Sequence, residues 1–435
     1  MVTNIDKLGD CGEPSPFQKK EGANFITEEK SVLARVHKNE VEEAISADNM
    51  TYLELAGPRE MIYFNPDMPL ACGIVTCGGL CPGINDIIRG LVMELFYGYG
   101  VKDIFGFRYG YRGIAEYSKI EPVELTPEIV DTIHTKGGTI LSSSRGPQDT
   151  DIMVDNLAGM GIKILFTVGG DGTMKGAQDI AEKIKSRGLD IAVIAVPKTI
   201  DNDICYVDES FGFETAVQKA ADIIENAHIE AKGAPNGVGL VKVMGRTSGF
   251  IASYTALANR NVNYCLIPEL PFKLDGKGGF LEVLKERLER KEHAVIVVAE
   301  GAGQDLMMKE SSAIEKDNSG NIRLKDIGSY LKTQIREYFK SLNMEVSLKY
   351  IDPSYIIRSV PANAMDSLYC VHLAQCAVHA GITGRTNMLV SHWNGHYVHI
   401  PIPAAVKERK KVNLEGRLWK TVMGATFQPF SMFKS

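Results

Sequence analysis

Two short loops, each at the end of an apolar run, constrain this chain more than anything else in it. Ile164-Leu165-Phe166-Thr167-Val168 runs into Gly169-Gly170-Asp171-Gly172-Thr173, and Ile191 to Val196 runs into Pro197-Lys198-Thr199-Ile200-Asp201-Asn202-Asp203. A short continuous apolar run bounded by turn residues reads as a buried parallel strand, so each loop sits at a strand's carboxyl end. In open α/β sheets that edge is where ligands bind. Two carboxylate-bearing loops about one βα unit apart can bring a metal ion and a catalytic base to one ligand.

Composition narrows the partners. A chain of 435 residues has room for roughly two to three domains. The apolar share of 44% and charged share of 23% are those of a soluble globular protein. The net charge of −6 argues against nucleic acid or an anionic membrane as the main partner. A phosphate-handling site therefore needs basic residues gathered locally. No apolar run reaches the ~20 residues that span a bilayer. The first seventeen residues lack a basic segment followed by an apolar one, and Met432-Phe433-Lys434-Ser435 is no known address signal. The expectation is a cytoplasmic protein. Of eight cysteines, Cys72, Cys77 and Cys81 cluster, but their spacing fits no zinc pattern, and reduced, mostly buried thiols are expected.

Residues 1–70 read as an extension that covers or tethers, outside the core, with a helix over 27–45. From Ala71 onward strands alternate with helices of 10–20 residues, which predicts a parallel α/β fold. Strands are expected over 72–77, 104–107, 164–168, 191–196, 238–243, 264–267, 294–298 and 346–350. A strand pair follows near 387–392 and 397–400, with a last helix near 413–422. The stretch 304–320 is polar and reads as a flexible loop. Trp393, Trp419 and the histidines between His372 and His399 form no recognisable constellation and read as packing or surface.

Several loops carry chemistry. Gly78-Gly79 with Gly83, between a strand and a helix, suits a phosphate cradle, or simply a tight turn. Asp171, bracketed by glycines, can hold Mg²⁺ or cap the next helix. Thr173 and Lys175 are placed to cap and to reach phosphate. Asp201 and Asp203, one residue apart, point to one side if the segment is extended. One could take a proton from a hydroxyl while the other orients it, or both could serve a turn. Lys198 beside them suits an anionic ligand. Arg145 and Arg246 each follow a glycine-flanked strand-end loop. Each suits charge stabilisation on a transferring phosphoryl group, or a surface ion pair. Glu300 and Arg358 are similar cases. The run Lys407-Glu408-Arg409-Lys410-Lys411 reads as solvated helix surface.

Taken in order, GGLCPGIN, GGDGT, PKTIDND, MGRTSG and AEG resemble the motifs of the 6-phosphofructokinase family, from about Ala71 to at least Arg358. NAD kinases and some lipid kinases carry a GGDGT without the other four. The resemblance implies two Rossmann-like parallel-sheet domains with the active site in the cleft between them. It implies phosphorylation of fructose 6-phosphate at its C1 hydroxyl, with Asp201 as base and Asp171 holding Mg²⁺. Gly79, Arg145, Gly170, Gly172, Thr173, Lys175 and Lys198 fall to the phosphate-donor site. Thr199, Asp203, Met244, Gly245, Arg246, Glu300 and Arg358 fall to the sugar-phosphate site, with Thr199, Arg145 and Arg246 assisting catalysis. The implied division is a donor domain over 71–212 plus 365–425, a fructose 6-phosphate domain over 213–364 and a tail over 426–435.

The donor is the finer question. In this family an Asp after the GGD aspartate goes with pyrophosphate, whereas Gly172 leaves room for a nucleotide and favours ATP. Lys198 points the other way, because pyrophosphate enzymes carry Lys there and many bacterial ATP enzymes carry Gly. The chain resembles a subgroup that combines both features. Gly237 and Ser367 stand where short bacterial enzymes carry arginines, so 6-phosphate binding is expected to use other groups, Tyr355 or Lys242. The resemblance implies an allosteric enzyme, whose effector site these departures leave unassigned. A homodimer or homotetramer is expected. The other readings are a pyrophosphate-dependent reversible enzyme, an NAD-kinase-like enzyme, and a non-catalytic regulatory subunit.

Overall fold

The computed structural model describes residues 4–20, 22, 24–308 and 322–434, so positions 309–320 of the expected polar loop lie outside them. The chain divides into two compact units. One contains residues 1–199, 204–212 and 359–408; the other contains 200–203, 213–358 and 409–435.

The first unit is built on a nine-stranded sheet. Its middle is parallel: Met388–Trp393, Ala192–Pro197, Ile162–Gly169, Ala71–Thr76 and Asp103–Phe107, in that spatial order. Every residue of Ala192–Pro197 is buried, as an apolar run covered on both faces requires. Both edges are antiparallel, so the sheet is mixed where a parallel one was expected. Val123–Glu124 closes one side; His396–Pro401, Tyr52–Leu55 and Ser31–Leu33 close the other. The helix Asp171–Ser186 buries Met174, Ala177, Ile180, Ala181 and Ile184, the three-and-four spacing of a helix with one apolar face.

The N-terminal stretch is therefore part of the core. Leu53 is fully buried in the large sheet. Glu54 on the same strand takes hydrogen bonds from Arg59 Nη2 at 2.9 Å and Arg385 Nε at 2.6 Å. The expected helix over 27–45 begins only at Lys38 and ends at Ser46. Ser31–Leu33 instead pairs antiparallel with Tyr52–Leu55, a long-range pairing that outweighs local helix propensity.

The second unit holds four parallel strands in the order Tyr264–Leu266, His293–Ala299, Gly237–Val243, Ser347–Ile351. The helix Phe213–Lys232 buries Ala216, Ala220, Ile224, Ala227 and Ala231. The alanines let the helix lie close to the sheet: a Cβ on Gly239 would stand 2.9 Å from the Ala227 carbonyl oxygen. The division departs from the expected one at the C-terminus. Residues 409–435, with the helix Arg417–Thr426, join the second unit, where Phe433 bridges to Phe272. Four residues of the PKTIDND loop, 200–203, also belong there.

Candidate functional site

In the first unit the strands Ala71–Thr76, Ile162–Gly169 and Ala192–Pro197 are neighbours, so their loops leave the sheet at one edge. The loop before Arg145 is stitched to that edge. Thr76 Oγ1 donates to the Ser142 carbonyl at 3.0 Å, Ser143 Oγ to the Gly78 carbonyl at 2.7 Å, and Gly78 N–H to the Ser144 carbonyl at 3.2 Å. Arg145, exposed, follows directly. Gly79 receives the ammonium of the buried Lys198 on its carbonyl oxygen at 2.8 Å. Gly83 serves packing: it is the N-cap of the next helix at φ 97°, and a Cβ there would lie 2.7 Å from Cys370 Sγ.

The GGDGT loop opens the helix Asp171–Ser186 with Gly170 as N-cap, and no side chain caps it. The positive end of the helix dipole is thus left for an anion. Asp171 stands in the first turn, about a quarter exposed, with Lys175 Nζ 3.0 Å from its carboxylate. A single accessible carboxylate fits Mg²⁺, which takes one or two protein carboxylates and fills its remaining positions with phosphate oxygens and water. Lys175 is paired with that carboxylate, so it reaches phosphate only by leaving Asp171. Thr173 is buried at the helix start, its Oγ1 turned toward Gly169. Gly172 is exposed, and a Cβ there meets nothing within 4 Å. Thr199 is half-buried in the first unit, and its carbonyl accepts from Ser210 Oγ.

In the second unit Gly237–Val243 and His293–Ala299 run parallel side by side, so the MGRTSG and AEG loops emerge together. Gly301 N–H donates to the Gly245 carbonyl at 3.0 Å. Any side chain on Gly301 would overlap the Arg246 carbonyl, 2.0 Å from an added Cβ. Asp201 lies against the MGRTSG loop: Ser248 Oγ donates to its carbonyl at 3.0 Å, and its carboxylate accepts from the Arg246 backbone N–H. The Asp201 Oδ1 is screened from solvent. Burial first, then the negative charges of Asp203 and Glu300, push its carboxyl up to about 7. Glu300 is also raised by burial, against the opposing pull of Arg246 and Lys242.

The Asp-Asn-Asp segment is a turn. Asn202 adopts φ 53°, which breaks the alternation that would have sent both carboxylates to one side. Asp203 is buried, and its Oδ2 is bound by the Arg409 guanidinium. Met244 and the Arg246 side chain are half-buried, with Arg246 Nη2 donating to the Ile322 carbonyl at 2.5 Å. Tyr355 is 75% exposed, its ring 4.8 Å from the Arg358 guanidinium. Lys242 is not an available cation: its ammonium lies 3.0 Å from Asp326 and 2.8 Å from Asp352. Of the two expected 6-phosphate groups, Tyr355 is exposed and Lys242 is held by two carboxylates.

The basic run 407–411 corrects another expectation. It is not helical, and from Arg409 onward it is laid against the Asp-Asn-Asp turn. Lys410 Nζ donates to Asn202 Oδ1 at 3.1 Å, and its backbone N–H donates to the Asp203 carbonyl at 2.9 Å. A run of five charged residues, four of them basic, gave no sign of this. The one available hint was that Asp203, a carboxylate in an apolar setting, needs a cation from somewhere.

With this geometry in place, comparison with known proteins identifies the family. A phosphofructokinase model matches residues 71–381. An ATP-dependent 6-phosphofructokinase of Borreliella burgdorferi is 50% identical, with 98% of this chain and 97% of that one covered. One of Amycolatopsis methanolica is 47% identical over 97% and 94%. Among solved structures, a pyrophosphate-dependent phosphofructokinase from Marinobacter aquaeolei matches the fold with a TM-score of 0.67 at 17% identity, covering 82% of this chain and 91% of that one. Phosphofructokinase from Saccharomyces cerevisiae matches with a TM-score of 0.62 at 20% identity, over 84% of this chain and 48% of that one. The chain belongs to the phosphofructokinase family.

Proposed function

We propose that this chain transfers the γ-phosphoryl group of ATP to the C1 hydroxyl of fructose 6-phosphate, giving fructose 1,6-bisphosphate and ADP. The observation that carries the reading is the Asp201 carboxyl. It is buried against the MGRTSG loop with its proton affinity raised into the range where a general base operates at neutral pH. Asp201 takes the C1 hydroxyl proton as the C1 oxygen bonds to the γ-phosphorus and the bond to the β–γ bridging oxygen breaks. Arg246 and Glu300, on neighbouring strand ends, with Arg358, bind the sugar phosphate. Phosphoryl transfer needs positioning and charge neutralisation more than covalent chemistry, and Arg145, Arg246 and the uncapped helix start at Gly170 supply cationic and dipolar partners. Asp171 would hold Mg²⁺, which when bound neutralises charge on the donor phosphates.

Gly172 supports ATP as donor, because it leaves open the space that an aspartate would fill with bulk and negative charge. The names of the Borreliella and Amycolatopsis relatives point the same way. The second reading, a reversible pyrophosphate enzyme, is favoured by Lys198. We further read the enzyme as a cytoplasmic homo-oligomer; no helix of the described residues is long and apolar enough to cross a membrane. The test is fructose 1,6-bisphosphate formation by the purified chain with Mg²⁺, run in parallel with ATP and with pyrophosphate. Turnover with pyrophosphate alone would overturn the donor assignment. Activity of the lone chain would exclude a non-catalytic subunit, and NAD consumption in place of fructose 6-phosphate would reveal an NAD-kinase-like enzyme.

A further inference from the structure

We propose that Arg409 is a positioning residue for the phosphoryl-transfer reaction: by holding the Asp203 carboxylate it fixes the turn that carries Asp201. The inference rests on the reading of Asp201 as the base.

Three segments of the second unit meet around that turn. The first is the turn itself, 200–203, with Asn202 in a left-handed conformation. The second is the MGRTSG loop, joined to it through Ser248 Oγ and the Asp201 carbonyl at 3.0 Å. The third is the strap 409–412. Its contacts are a cation on a carboxylate (Arg409 on Asp203), an ammonium on the amide oxygen of Asn202 at 3.1 Å, and a backbone hydrogen bond to Asp203 at 2.9 Å. Glu269 then ties the strap to the second loop, accepting from Gly249 N–H at 3.0 Å and Val412 N–H at 2.8 Å through the same Oε1. Apart from the two bonds to Glu269, each bond in this set addresses the backbone or the neighbours of Asp201, and Arg409 supplies the cation on Asp203.

A buried carboxylate needs a partner cation, and Asp203 is only 3% exposed at its side chain while Arg409 is 36% exposed. The guanidinium therefore spans from solvent to a buried anion two residues from the base. Its planar fork fixes direction as well as charge, which a point cation does not. A base displaced by about 1 Å can lose on the order of 10²-fold in rate, so the expected consequence of losing the fork is a fall in kcat.

The experiment compares Arg409→Met, Arg409→Lys, Asp203→Asn, the Arg409→Met/Asp203→Asn double variant and Asp201→Asn, all in the full chain with ATP, Mg²⁺ and fructose 6-phosphate. Near-ultraviolet circular dichroism and the thermal midpoint establish that each is folded. The expected result is a kcat about 10²-fold lower in Arg409→Met, with KM for fructose 6-phosphate within about threefold, and partial recovery in Arg409→Lys. The double variant should be no worse than the poorer single variant, because both substitutions break one contact. A folded Arg409→Met with native kcat would overturn the proposal, as would strictly additive losses in the double variant. Should Arg409→Met fail to fold, Arg409→Lys against Asp203→Asn carries the same comparison. Asp201→Asn separates the two readings: a near-native rate there removes the base assignment, whereas an inactive Asp201→Asn beside a fully active Arg409→Met removes only the role of Arg409.

Discussion

Lys198 extends from the end of the strand Ala192–Pro197 to the carbonyl oxygen of Gly79, 2.8 Å away, at the end of Ala71–Thr76. The ammonium thus joins two strand-end loops from within the protein, and only 6% of the residue is exposed. A lysine used in this way is not free to select a donor by its charge alone. Lys198→Met should lower kcat/KM for ATP by roughly tenfold or more, the value of one lost charge-assisted hydrogen bond, without creating pyrophosphate turnover. Steady-state rates with both donors check this; a variant in which ATP turnover rises would return donor choice to Lys198.

Gly172 offers the cleaner donor test. No atom stands within 4 Å of an added Cβ, so Gly172→Asp should fold normally and keep its thermal midpoint within a few degrees. Its carboxylate would nonetheless occupy the space assigned to the nucleotide and repel its phosphates. We expect ATP turnover to fall by about 10²-fold, two decades or some 3 kcal/mol of transition-state binding. Parallel calorimetry and kinetics separate this from misfolding.

The Asp201 carboxyl predicts a pH dependence of both rate and stability. Its folded-state value lies near 7, above the 3.8 of an ordinary aspartate. A group raised in the fold contributes stability that is complete below its unfolded value and lost as pH rises through the folded one. Asp201→Asn should therefore be more stable than the parent above pH 7, by up to about 4 kcal/mol, and gain little near pH 4. Its kcat should fall by about 10²- to 10⁴-fold. In the parent, kcat should drop on the acid side of neutrality. Urea unfolding at three pH values, with rate profiles, tests each part.

Acid stability has a second source in the first unit. His399, buried beside Glu54, is lowered to about 4 by burial, and His379, buried and bonded to Tyr99, is lowered to about 3. A histidine held neutral contributes stability that is present above its unfolded value, near 6.5, and lost as pH falls toward the folded one. Between pH 6 and 5 the unfolding free energy should decline by up to about 3 kcal/mol per pH unit from these two groups, and less steeply toward pH 4. His399→Gln should flatten part of that slope.

Glu54 anchors the same cluster, with Arg59 and Arg385 both on its carboxylate. Glu54→Gln leaves two buried guanidiniums short of charge and should cost about 3–5 kcal/mol. Arg385 would retain Glu28 at 2.9 Å, which sets the lower end of that range. A loss below 1 kcal/mol in urea unfolding would mean the cluster is dispensable.

The strand-end loops were legible because each joins an unbroken apolar run to a glycine-rich turn, a pattern with few other meanings. What escaped were features fixed by distant partners. Tyr52–Leu55 is too short, and too polar at Glu54, to announce a place in a nine-stranded sheet; only pairing with His396–Pro401 and Ser31–Leu33 gives it one. Lys407 to Lys411 has the composition of a solvated surface, and nothing local distinguishes it from one. The turn at Asn202 was invisible for a related reason. Its left-handed φ is an allowed but uncommon state for Asn, held here by Lys410 from two hundred residues away. The buried hydroxyl of Thr173 and the engagement of Lys242 likewise depend on packing that no spacing rule encodes.

The tetrapeptide 200–203 belongs to the second unit while the residues on either side of it belong to the first. Neither unit is encoded by one uninterrupted stretch of gene. No single crossover can therefore transmit one unit whole and leave the other behind. The residue proposed as the base, Asp201, lies on the shortest of the exchanged segments, so any cut that spares the rest of one unit still separates that residue from its unit or from its chain neighbours.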